Sequence, residues 1–310
     1  MENHKALKKT LQIFHFSAIL FFNLLNHINI QRKIKRGVRF LKYFSVGDIP
    51  GTAAEMLVYL NDPACENIIN NRRPCVIIFP GGAYLGWAER ESEPVALEWL
   101  RLGFQVCILH YAVRPQDGLP FLGDAPMRDG AAAIRYVRGH ANEWAIDPNK
   151  ISVCGFSAGG HAAGCTGVFW NTPHIPGGDP RERPNAMILC YPVITGGPYA
   201  HRQSLFNLTG DQKPSVSNDA YSLELHVSPE TPPTFLWHTY DDEAVPAENT
   251  LLMAQALRAA KVPMEMHLYS HGPHGRSICT SAIGQFDSHT GTWFPLAVEW
   301  LDSLDLGRSF

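Results

Sequence analysis

From Glu55 onward, short runs of apolar residues alternate with longer stretches in which apolar positions recur every three or four residues. The runs fit strands buried on both faces, and the longer stretches fit helices with one apolar side. Strands are predicted at 56–60, 75–79, 105–111, 151–154, 186–191, 234–239 and 264–269, and helices at 91–102, 127–140, 158–170, 247–260 and 292–304. Local punctuation agrees: Gly103 closes a helix, Pro74 precedes a strand, and Asp147-Pro148-Asn149 marks a turn. Strand and helix in alternation give an α/β fold with a mostly parallel sheet and crossover helices. Ligands in such sheets bind beyond the carboxyl ends of the strands, so reactive residues are expected just after each run.

The segment Gly155-Phe156-Ser157-Ala158-Gly159-Gly160-His161 follows directly on Ile151-Ser152-Val153-Cys154. A serine on so sharp a strand-to-helix turn needs small neighbours two before and two after, and both are glycine. The turn lifts the hydroxyl above the sheet and aims the first free N–H groups of the helix at whatever it attacks. Ser157 is the candidate nucleophile. After 75–79 comes Pro80-Gly81-Gly82-Ala83-Tyr84, where small residues let backbone N–H groups approach a carbonyl oxygen that becomes negative. The N–H groups of Ala158 and of Gly82 or Ala83 are the expected oxyanion donors.

A serine hydroxyl needs a base, and the base needs a carboxylate to fix its tautomer. After 234–239 comes Tyr240-Asp241-Asp242-Glu243, where either aspartate can serve or can cap the following helix. After 264–269 comes Ser270-His271-Gly272-Pro273-His274-Gly275, where either histidine can reach over the sheet. His161 reads as a helix-face residue. The fourteen histidines carry no H-E-x-x-H pattern and no cofactor or metal is expected.

The chain has 310 residues, 45% of them apolar, which allows one large core. A formal charge of −3 offers no basic excess for a nucleic-acid backbone. Seven cysteines, with Cys75, Cys107, Cys154 and Cys190 in apolar runs and no C-x-x-C, fit a reducing compartment such as the cytoplasm. The first 45 residues pull the other way: Lys5, Lys8 and Lys9 lead into an apolar stretch at 11–25 and then into Arg32, Lys33, Lys35 and Arg36, as in a signal segment or membrane anchor. That stretch is interrupted by Gln12, His15 and Asn23 and is shorter than the roughly 20 residues that span a bilayer. Residues 1–45 are accordingly read as an extension, through which alone membrane contact would come, and 46–310 as the catalytic domain.

Taken together, Pro80 to Tyr84, Glu91 with Glu93-Pro94-Val95-Ala96, Gly155 to His161, Tyr191-Pro192-Val193-Ile194, Asp241-Asp242 with Val245-Pro246, and His271 to Gly275 resemble the α/β-hydrolases of the acetyl-xylan and feruloyl esterase-like group, related to the hormone-sensitive-lipase branch. The resemblance implies Ser157 as nucleophile, Asp242 as acid and His274 as base. Asp242 stands four residues after His238 and three before Val245. Pro80 takes the place of the lipase histidine before the glycines, and Ala83 that of the third glycine. The resemblance implies no large cap domain, with 195–231 as the one insertion able to shape a pocket and Tyr84, Arg202 and Tyr221 as candidate substrate contacts. The expected substrate is a small or carbohydrate ester carrying a short acyl group. A lipase or peptidase of the same fold, or a non-catalytic binding protein, are the alternatives.

Overall fold

The computed structural model describes residues 41–61, 72–114, 121–174, 178–211, 213 and 215–308. The apolar stretch at 11–25 and its basic flanks lie outside the described residues. Eight strands form one sheet: β1 (Leu41–Val46), β2 (Glu55–Asn61), β3 (Arg73–Phe79), β4 (Gln105–His110), β5 (Ile146–Phe156), β6 (Ala186–Cys190), β7 (Thr234–Thr239) and β8 (Met264–Tyr269). Their order is β1-β2-β4-β3-β5-β6-β7-β8. β1 and β2 run antiparallel to their neighbours, and β4 through β8 are parallel.

β1 was not foreseen, and the sheet thus begins ahead of residue 46. Its sequence LKYFSV is largely exposed, because an edge strand that packs only Phe44 and Val46 against the core needs no apolar run. β5 starts earlier than its apolar core: Ile146 pairs with Arg73, and pairing then shifts to Ile151 with Cys75. The turn at 147–149 fills the shift, with the Asn149 N–H donating to Asp147 Oδ1 at 2.9 Å.

Strand residues alternate between two cores. Cys75, Ile77, Phe79 and Val153 face one side, where α2 (Ala125–Gly139), α3 (Ser157–Val168) and α6 (Glu248–Ala259) bring Ile134, Ala162 and Leu257. Val76, Ile78, Cys154 and Phe156 face the other, covered by Trp99 of α1 (Glu93–Arg101) and by Trp293 and Leu301 of α7 (Trp293–Ser303). Every residue of α3 is buried. Its small side chains let it lie close on the sheet, which fixes Ser157 above the end of β5. The insertion at 195–231 carries two short helices, α4 (Arg202–Thr209) and α5 (Val216–Ala220), and no large cap is present among the described residues. The six described cysteines are buried free thiols.

Candidate active site

Ser157 opens α3 with φ at +55°, a left-handed conformation that a non-glycine residue adopts only where its surroundings hold it. The holding contact is the approach of α3 to β3. A Cβ on Gly159 would meet the backbone oxygens of Phe79 and Pro80 at 2.2 and 2.3 Å. Backbone atoms cannot swing aside as a side chain can. Gly159→Ala is therefore expected to lose at least about 3 kcal/mol in urea unfolding, the upper range for an overpacked core; a loss under about 1 kcal/mol would contradict this tight approach.

Three side chains from three loops meet in line. Ser157 Oγ lies 2.8 Å from His274 Nε2, across 117 residues of sequence, and His274 Nδ1 lies 2.6 Å from Asp242 Oδ2. Asp242 Oδ1 accepts the N–H groups of Ala244 and Val245, both at 2.9 Å, and Oδ2 stands 3.4 Å from Nε2 of the buried His238. Burial works against the charge on Asp242. Hydrogen bonds from His238, His274 and Val245 outweigh it and hold the carboxyl well below the usual carboxylate range. A charged Asp242 fixes the His274 proton on Nδ1 and leaves Nε2 free to accept from the serine.

The neighbouring candidates form a second, outer pair. His271 Nδ1 lies 3.2 Å from Asp241 Oδ2, and Asp241 Oδ1 accepts the Gly272 N–H at 2.7 Å. The His271 side chain is 85% exposed and that of Asp241 48%, against 19% and 0% for His274 and Asp242. In the loops beyond β7 and β8, one His–Asp pair turns in to Ser157 and the other out to solvent.

The loop after β3 winds through Gly82, Ala83 and Tyr84, all with positive φ. The N–H groups of Gly82 and Ala83 have no hydrogen-bond partner among the described residues, while those of Gly81 and Leu85 are taken by Glu91 and Gly82. The Ala158 N–H lies in the first turn of α3, where no intrahelical acceptor exists. Side chains pin the loop from outside: Tyr111 donates to Pro80 O at 2.5 Å, and Asn207 Nδ2 donates to Ala83 O at 2.7 Å. Asn207 comes from α4 and is fully buried, a contact across 124 residues that carries no local sequence signal.

The three candidate substrate contacts are occupied elsewhere. Tyr84 is 1% exposed and its hydroxyl pairs with His161 Nδ1 at 2.7 Å, so it belongs to the core beneath the loop rather than to a pocket wall. Arg202 donates to the carbonyls of Gly196 and Gly197, tying its own loop. The Tyr221 hydroxyl donates to Asp124 Oδ1 at 2.8 Å, and the Tyr221 carbonyl accepts from His161 Nε2 at 2.8 Å. Tyr221 thus staples the insertion to the domain, and Arg202 ties it internally.

His161 therefore has both ring nitrogens paired within the protein. Burial pushes its imidazole down to about 4, and the Tyr221 carbonyl offsets only part of that. The unfolded chain takes up this proton near 6.5 and the folded chain only near 4, so stability falls as pH drops between those values. The whole step is worth about 3 kcal/mol. In His161→Gln, unfolding free energy plotted against pH should slope less steeply over this window; an unchanged slope would contradict the assignment.

Among the described residues no three His, Cys, Asp or Glu side chains converge as metal ligands would. A cavity of 680 Å³ lies beside the end of β4, lined by Thr52, Trp87, His110 and Asp129 among others. It sits two strands from Ser157 in the sheet order and includes none of the three aligned side chains.

A hydroxyl, imidazole and carboxylate in line beyond the strand ends, beside unpaired N–H donors, on this sheet, define an α/β-hydrolase site. Residues 63–183 match the BD-FAE family model. The chain is similar to an acetyl ester-xyloside bifunctional hydrolase from Caldicellulosiruptor lactoaceticus, whose crystal structure superposes with a TM-score of 0.72 at 35% identity, covering 90% of this chain and 100% of that one. It is 35% identical over 212 residues to endo-1,4-beta-xylanase B of Butyrivibrio fibrisolvens, covering 67% of this chain and 33% of that protein. It is 29% identical over 264 residues to an acetylxylan esterase of Xylanibacter ruminicola, covering 82% and 50%. The chain thus spans a third to a half of the length of these two curated relatives. It belongs to the acetyl-xylan-esterase-like α/β-hydrolases.

Proposed function

We propose that this chain hydrolyses carboxylic esters through an acyl-enzyme on Ser157, with short acyl groups, acetyl above all, on a carbohydrate such as xylan as substrate. The observation that carries the chemistry is the unbroken chain from Ser157 Oγ through His274 to Asp242, at 2.8 and 2.6 Å. His274 Nε2 takes the hydroxyl proton as Oγ bonds to the carbonyl carbon, and the carbonyl oxygen becomes an oxyanion facing the N–H groups of Ala158 and of Gly82 or Ala83. The C–O bond to the alcohol then breaks, and the same Nε2 proton goes to the leaving oxygen. Water, deprotonated by His274, repeats the attack on the acyl-enzyme, and Ser157 leaves with the proton. Because Asp242 is held well below the usual carboxylate range, it stays charged throughout, and the acid limb of kcat/KM is not expected to report it.

The acyl and alcohol preference is supported by two things. The related proteins carry acetylxylan esterase and acetyl ester-xyloside hydrolase among their names. The described part of the 195–231 insertion forms short helices stapled to the domain through Asn207 and Tyr221, with no long apolar lid to shelter a fatty chain. Release of acetate from acetylated xylan, together with kcat/KM for nitrophenyl esters of rising chain length, tests the reading. Acetate release is expected, with kcat/KM falling at least about 100-fold from acetyl to palmitoyl as the chain outgrows its pocket. A preference for palmitoyl would make the protein a lipase instead, and faster turnover of a feruloyl ester would change the acyl group.

A further inference from the structure

A buried carboxylate stands behind the site. Glu91, at the end of the short turn Glu89–Glu91, is 1% exposed. Its Oε2 accepts the Gly81 N–H at 2.8 Å, and its Oε1 accepts the Tyr191 hydroxyl at 2.9 Å. The Tyr191 oxygen in turn accepts the Ser277 N–H at 2.8 Å. The two ends of this chain of bonds are the loop after β3, which presents Gly82 and Ala83, and the loop after β8, which carries His274.

Neighbouring contacts draw the same two loops together. Arg90 Nε donates to Gly275 O at 2.9 Å, and Arg90 O accepts the Ser277 hydroxyl at 2.5 Å. Tyr191 is held at φ +35°, and its ring meets that of His274 edge-on with centroids 5.0 Å apart. A Cβ at Gly81 would lie 2.5 Å from Glu91 Oε2 and 3.0 Å from Ser157 Cβ, so one glycine separates the carboxylate from the serine. Both groups that face Glu91 are donors, and an ionised carboxylate is acceptor at both oxygens. An amide would present its NH2 to one of them. Burial opposes the Glu91 charge, with Arg90 3.7 Å away and partly exposed, so a carboxylate here is held at a cost.

We propose that Glu91 is a positioning residue that fixes the separation between the oxyanion loop and the His274 loop, so that N–H donors and base address one carbonyl group. The role rests on the Ser157 acyl-transfer reading above. Glu91 touches no reacting atom, and its effect is felt when the oxyanion forms, where misplacement of about 1 Å costs on the order of 100-fold in rate. Ground-state binding of a small ester is untouched.

Glu91→Gln and Tyr191→Phe, assayed with 4-nitrophenyl acetate beside the wild type and Ser157→Ala, test this. In Glu91→Gln, kcat is expected to fall about 100-fold, and in Tyr191→Phe about 10-fold, with KM within about threefold in both. Thermal unfolding identifies variants that fold. If Glu91→Gln does not, Tyr191→Phe decides alone, since it removes only the hydroxyl that links Glu91 to Ser277. A folded variant with kcat within about threefold of wild type, or a loss confined to KM, overturns the role of Glu91. An active Ser157→Ala would instead overturn the acyl-transfer reading, and the two failures are thereby distinct.

Discussion

Ser157→Ala is expected to lower kcat for 4-nitrophenyl acetate by about 10⁵ to 10⁶-fold, the scale set by removing the nucleophile of a triad that works as a unit. Stability should hardly change. The side-chain oxygen makes one hydrogen bond, to His274, and alanine keeps the Cβ that packs at the elbow. The strained φ of +55° is shared by both residues, so the substitution neither relieves nor adds strain. A variant that folds and retains turnover within about 100-fold of wild type would require another nucleophile.

Asp242→Asn is the second large effect, expected to cost about 10⁴-fold in kcat. The amide can turn its NH2 to His274 Nδ1, forcing that nitrogen to accept and moving the ring proton to Nε2. The lone pair that should take the Ser157 proton is then gone. Asp241→Asn is the natural control, because its partner His271 is 85% exposed and neither touches Ser157. That variant should retain kcat within about threefold, since an exposed ion pair contributes little. His271→Ala and His274→Ala should divide in the same way. Equal losses at 241 and 242 would mean that the outer pair takes part in the reaction.

The strands covered on both faces were legible, and so was the half-buried edge strand β8. The apolar runs at 234–239 and 264–269 coincide with β7 and β8, and the helix predicted at 247–260 extends α6 by one residue at each end. β1 was not legible, since an exposed edge strand carries no burial pattern, and α4 and α5 were hidden in a polar insertion whose helices owe their place to long-range contacts. The elbow announces itself because its chemistry is local: a serine between glycines at a strand end. The choice between Asp241 and Asp242 is not local. It depends on which strand-end residue turns inward, and residue counting within a resemblance carried what alternation alone did not.

The support around the site was least legible. Asn207 and Tyr111 act through single atoms aimed at loops far away in sequence, and nothing in their neighbourhoods distinguishes them from other buried polar residues, while Tyr191 stood within a motif of the resemblance that gave no hint of its bond to Glu91. Tyr84, by contrast, drew attention by its position next to the glycines and proved to be a core residue paired with His161. Position beside a reactive loop says little about which side of that loop a side chain occupies.

The central claim is that Ser157 forms a covalent acyl-enzyme. Incubating the purified protein with a serine-directed organophosphate and mapping the adduct by peptide mass spectrometry tests it most directly. A single stoichiometric adduct on Ser157, formed as esterase activity disappears and absent from His274→Ala, is the predicted result. Inactivation with the adduct on another residue, or full activity with Ser157 labelled, would contradict it.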